Sequence, residues 1–154
     1  MTSQEIIAAF PLLASDKDFK ITSPETPDYN CIAWAYYFKD RWMWPGGQEE
    51  KTFDGFWYWP DDISDDVDVT NFIEAFKLKG FSLCTDYLHE DGFQKIALYT
   101  KVGTTCCTHA SRELTNGCWT SKLGAENDIQ HGTPYTIEGD FYGEVYCIMK
   151  REFK

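Results

Sequence analysis

The chain has 154 residues, 43% of them hydrophobic and 17% aromatic, enough for one buried core and too apolar for a disordered segment. Its formal net charge is −11 and no basic run occurs, which argues against nucleic acid or an anionic membrane surface as partner. No stretch approaches the roughly 20 apolar residues of a membrane span, and residues 1–9 lack the pattern of a signal peptide, so the expected location is cytoplasmic, signal-independent export aside.

In chain order, Thr2 and Glu5 form a capping-box pair that opens a short helix through Ile6, Ile7 and Phe10, stopped by Pro11. Residues 15–29 contain Ser23-Pro24 and Thr26-Pro27 and read as an extended approach. Asn30 then suits an N-cap, and Ile32 to Phe38 is apolar on every side, the mark of a buried helix. Cys31 falls in the first turn of that helix, where the partial positive charge favours a thiolate and a lowered pKa. The competing reading is a small core residue, since unpaired cysteine is commonly buried.

Trp42 to Gly47 ends the helix and begins a loop. Phe53, Phe56, Trp57, Tyr58 and Trp59 form an aromatic cluster that serves either as a satellite core or as the wall of a substrate groove. The acidic run from Asp61 to Asp68 lacks the spacing of a calcium loop and reads as solvated. A second long helix is expected from a cap at Asp68 or Thr70, with Val69, Phe72, Ile73 and Phe76 on one face and Gly80 at its end.

The period then changes to two. Phe81–Cys84 and Gln94–Thr100 read as strands, the latter with Ile96 and Leu98 on one face. Residues 104–123 read as a hairpin turned at Asn116-Gly117, and Tyr142–Met149 as a last strand. These elements predict a single α+β domain over 1–154, helices first and then a mainly antiparallel sheet.

With no secretory signal, the six cysteines (31, 84, 106, 107, 118, 147) are expected to be reduced thiols. No C-x-x-C pair exists, so no metal or other cofactor is expected. A metal site at Cys106, His109 and Cys118 is the least favoured reading. Of three histidines, His89 lies beside Glu90 and Asp91 in a loop, and His131 with Gly132 begins another. His109 alone lies within a strand. A two-residue turn at Asn116-Gly117 would pair Leu114 with Trp119 and set His109 opposite Gly124. His109, Ser111 and Glu113 would then share a face with Thr120, Lys122 and Gly124. A thiol nucleophile needs a base in reach, and the base needs a third group to hold its tautomer. Spacing does not choose among Glu126, Asn127 and Asp128. Asp128 is the selection on charge, because an ionised partner best stabilises an imidazolium.

The motifs YNCIAWA, YWP, KIALY, THASR, WTSKLG, DIQH and YGEV, in this order from Ile21 to Arg151, resemble an uncharacterised bacterial family of small single-domain proteins. The arrangement is also similar to the papain-like cysteine hydrolases, which place a nucleophile at the start of a packed helix and a histidine and polar residue on later strands. The resemblance implies a papain-like fold with Cys31 as nucleophile, His109 as base and Asp128 as orienting residue, His131 being the rival for that third place. The expected function is a cysteine-dependent hydrolase or acyltransferase acting on an amide, isopeptide or ester bond of a protein or small-molecule substrate. Tyr29, Asn30, Trp57 and Trp59 are its expected substrate-binding residues. The alternative is a non-catalytic protein-interaction module, inhibitor or immunity-type, that uses the acidic loop and the aromatic cluster.

Overall fold

The structure, a computed structural model, describes residues 1–45 and 56–152, with the backbone alone at Phe56 and Trp57. Helix α1 (Ser3–Ala9) carries the expected capping box, Thr2 accepting from the Glu5 amide while Glu5 accepts from Thr2. A 3-10 turn at Pro11–Ser15 follows, then β1 (Lys20–Ile21). Helix α2 (Cys31–Ala35) starts at Asn30 as expected but runs for only five residues. Its end is a Schellman motif: the Phe38 amide donates to Ala33 O and the Tyr37 amide to Trp34 O. Tyr37 occupies the left-handed position of that motif at φ 71°, where glycine is the usual residue.

Strands β2 (Arg41–Met43) and β3 (Phe56–Tyr58) form a separate parallel pair. Helix α3 (Val69–Leu78) is capped by the Asp68 carboxylate and closed through Gly80 at φ 94°, as its sequence predicts. The main sheet adds β4 (Ser82–Cys84), β5 (Phe93–Thr100), β6 (Cys107–Glu113), β7 (Trp119–Lys122), β8 (Asp128–His131) and β9 (Glu144–Glu152). Its order is β1-β8-β7-β6-β5-β9-β4, antiparallel at every pairing. The α+β reading therefore holds, with three short helices around an open seven-stranded sheet among the described residues. No helix among them is long and apolar enough to cross a membrane.

Both faces of the sheet are covered. Ile32 and Ala35 of α2 and Phe72 and Phe76 of α3 bury Ile96, Leu98, Ala110 and Met149 on one side. Ile6, Phe10, Leu13 and Ile137 bury Ala97, Tyr99, Trp119, Ile129 and Ile148 on the other. Alternate residues of β5 thus enter different cores, as a period of two requires.

One expected register is corrected. Glu113, not Leu114, pairs with Trp119, and Arg112 pairs with Thr120. The Leu114 amide donates to Cys118 O and the Gly117 amide to Leu114 O, which closes a three-residue loop over Thr115–Gly117 with Gly117 at φ 85°. A slip of one residue exchanges the faces. His109 and Ser111 therefore share their face with Trp119, Ser121 and Leu123 rather than with Thr120, Lys122 and Gly124. The β6–β7 ladder ends at Arg112–Thr120, and the two strands part beyond it.

Candidate functional site

The start of α2 is held by one side chain. Asn30 Oδ1 accepts from the amides of Ala33 (3.1 Å) and Met43 (3.0 Å), while its Nδ2 donates to Met43 O at 3.0 Å. Asn30 thereby latches the helix to β2. Cys31 follows, 6% exposed, on a helix that packs against both β6 and β7. The amides of Ala110, Ile32 and Cys31 itself all point at its sulfur. Burial nevertheless pushes the thiol up to about 11, the three amides and the Lys122 charge only moderating the rise. The expected lowering is corrected by this: a five-residue helix has too small a dipole to offset full desolvation.

On the opposite face lies a buried chain of donors and acceptors. His131 Nδ1 sits 2.7 Å from Thr133 O, a carbonyl that can only accept, so this nitrogen carries the proton and Nε2 is an acceptor. Ser121 Oγ–H therefore donates to His131 Nε2 (2.8 Å) and accepts from His109 Nε2–H (2.9 Å). The His109 ring is stacked on Tyr142 at 3.9 Å and tilted against Tyr99. Its Nδ1 is buried, unprotonated and without a partner. Burial and then the neighbouring His131 hold His109 well below the ordinary histidine range, and burial brings His131 down to about 4. Both rings are neutral at physiological pH. No hydrogen bond joins His109 to Cys31.

Asp128 is on the α2 face with its register partner Lys122. Its Oδ2 accepts from the Tyr29 hydroxyl at 2.7 Å, and Oδ1 is buried and bare. Lys122 donates to Thr26 O and Gly124 O at 2.7 and 2.6 Å, and burial lowers it to about 8 against the pull of Asp128 and Cys31. Tyr29 stacks on Trp34, whose Nε1 donates to Thr120. Asn127, one of the alternatives for the third group, is tied to Met1 and Ser23. The group that touches the His109 ring nitrogen is Ser121, with His131 behind it; Asp128 contacts Tyr29 instead. Ser121 was absent from the sequence-derived site and Lys122 was expected on the His109 face rather than beside Asp128; only the correct hairpin register could have put Ser121 beside His109.

Trp59 is buried against Phe72 and donates to Ser64 O, so it belongs to the core. The side chain of Trp57, the whole of Phe53 and the loop glycines Gly46 and Gly47 lie outside the described residues. His89 lies exposed in a loop, as expected, and its ring is bonded there to Glu113 and Asp91. No group of three or more His, Cys, Asp or Glu side chains placed to hold a metal ion occurs among the described residues. A family model described as a domain of unknown function (DUF7689) matches residues 20–150. No curated protein and no solved structure matches the chain.

Proposed function

The chain belongs to the DUF7689 family, and we propose that it is a cysteine-dependent hydrolase or acyltransferase of papain-like design, with Cys31 as nucleophile and His109 as base. The observation that carries this reading is the imidazole of His109. Ser121 and His131 fix its tautomer so that a buried nitrogen lone pair is left bare, the state a general base must be in. The amides converging on Cys31 give a second support, because an oxyanion formed beside the sulfur would meet N–H donors already in place.

In this mechanism thiol and imidazole rest as a neutral pair, and the proton moves only as attack begins. At rest the Cys31 thiol and the His109 ring lie on opposite faces of the sheet, so in this mechanism the thiol swings from the Ala110 amide past the end of the β6–β7 ladder to reach His109. Sγ bonds to the substrate carbonyl carbon while Nδ1 takes the thiol proton. The oxyanion collapses, the bond to nitrogen or oxygen breaks, and His109 returns the proton to the departing amine or alcohol. Water, or an acceptor in a transferase, attacks the thioester with the same base and restores the thiol. Asp128 and Tyr29 position the helix that carries the sulfur.

The test is a burst assay with p-nitrophenyl acetate. One equivalent of p-nitrophenolate and an acetyl group mapped to Cys31 by mass spectrometry are expected. His109→Gln should slow acetylation about 100-fold or more with the melting curve retained. Acetyl found only on the exposed Cys106, at the same rate in His109→Gln, would reject the reading. The protein-interaction module would then lead, favoured by the burial of Cys31 and its lack of a bond to His109.

A further inference from the structure

Where α2 ends, three cations gather around Tyr37. The Arg112 guanidinium lies 4.0 Å over the Trp34 ring and 4.4 Å over Tyr37, and that of Arg151 lies 4.9 Å over Tyr37 and over Phe81. Lys79 sits 5.0 Å over both Tyr36 and Phe38, and its carbonyl accepts from Arg151 Nη1. Although the protein carries 25 acidic residues against 14 basic ones, none of these three forms a salt bridge among the described residues. Asp128 is felt by Arg112 only from a distance, its hydrogen bond going to Tyr29. Burial and the charges of Arg151 and Arg41 lower Lys79, a sign of like charges held close.

Half-buried cations left together without a counter-charge are costly, and an anion between them relieves that cost. A guanidinium stacked on a ring uses its face and keeps its in-plane N–H edge for anions; in Arg151, Nε donates to Gln94 Oε1 (2.6 Å) and Nη1 to the Lys79 carbonyl, so the edge open to an oxyanion there is the Nη2 side. Tyr37 supplies a second, independent indication. It is the only non-glycine with positive φ among the described residues, and α3 closes the same motif with Gly80. A tyrosine kept in such a conformation stores strain that commonly marks a binding site. Its hydroxyl lies near both guanidinia, which oppose the upward push of burial on its pKa. A cleft of about 650 Å³, lined by Lys79, Gln94, Lys150 and Arg151 and also by the acidic Glu152, adjoins Lys79 and Arg151.

We propose that Arg112, Arg151 and Lys79, arranged around Tyr37, form a binding site for an oxyanion group, a carboxylate or a phosphate, on the ligand of this protein. The site is at the far end of α2 from Cys31, and it stands whether or not the thiol is catalytic.

The test follows the arginine Nε–H resonances of the intact protein by NMR during titration with inorganic phosphate and, separately, with acetate at constant ionic strength. Saturable shifts at Arg112 and Arg151 are expected. Tighter phosphate binding assigns a phosphoryl ligand, and tighter acetate binding a carboxylate. Arg112→Gln and Arg151→Gln should each weaken binding about tenfold or more, with Lys101→Gln, on the exposed turn after β5, without effect. Shifts that grow linearly and equally at every arginine of the parent protein would overturn the proposal without recourse to any variant. So would saturable binding that neither arginine variant weakens.

Discussion

Replacing Ser121 by alanine removes one oxygen from the middle of a sealed chain. In the parent, that oxygen accepts from His109 Nε2–H and donates to His131 Nε2, and all three residues are buried, both histidines at 0% exposure. The variant leaves one donor and one acceptor without partners. The space of a lost hydroxyl is smaller than a water molecule needs, so no solvent replaces it. Each orphaned group costs about 1–3 kcal/mol, which gives a loss of about 2–5 kcal/mol. Urea unfolding at pH 8, where both rings are neutral, measures it. Nitrogen-15 spectra of the parent should show the proton on Nε2 of His109 and on Nδ1 of His131. A loss below about 1 kcal/mol, or the opposite tautomer on either ring, would refute the directional chain and with it the bare base nitrogen.

His131 is held at about 4 against an ordinary 6.5, so between those pH values the unfolded chain binds a proton that the folded chain refuses. Stability is therefore full above about pH 6.5 and falls on acidification toward pH 4 by about 3 kcal/mol from this residue, with His109 adding in the same direction; melting temperatures flat across that range would contradict it. Gly117→Val should cost about 1–3 kcal/mol, because φ 85° strains a β-branched residue even though its side chain would meet open space; a parent-like melting curve would show that the turn lies elsewhere. Asn30→Ala removes a helix cap and two bonds to Met43 and should cost about 2–4 kcal/mol by urea unfolding. A cost under about 0.5 kcal/mol would mean that β2 is not latched through this side chain.

Features that depend on neighbours in sequence were legible before the structure. The Thr2–Glu5 box, the Asn30 cap, the Asp68 cap and the Gly80 stop each involve groups within four residues of one another, and each is present. The alternation of Ile96 and Leu98 was likewise local. Register was not, because Thr115-Asn116-Gly117 suits both a two-residue and a three-residue loop. That single residue decided which side of the sheet His109 occupies. Strand β8 escaped notice because Asp128-Ile129-Gln130-His131 offers one apolar residue and no run. It is a strand by virtue of β1 and β7 on its two edges. The role of Ser121 depends on His109, 12 residues away, and on His131, 10 away, a relation that no periodicity encodes.

The short β6–β7 ladder has a mechanical consequence. With only Arg112–Thr120 and Glu113–Trp119 in register, the sheet is joined at its middle by the hairpin end alone. Strands β1, β8 and β7 form one leaf, and β6, β5, β9 and β4 the other. Such a joint divides the molecule into units of unequal cooperativity, because a leaf can open without breaking the ladders of its neighbour. Amides of 119–131 should therefore exchange with solvent as a group, ahead of those in β5 and β9. Two attachments oppose that opening. Helix α2, which carries Cys31, packs on both β6 and β7 on one face, and the His109–Ser121 bond joins the two strands on the other. The chemistry proposed for this protein thus occupies the seam along which its sheet is weakest.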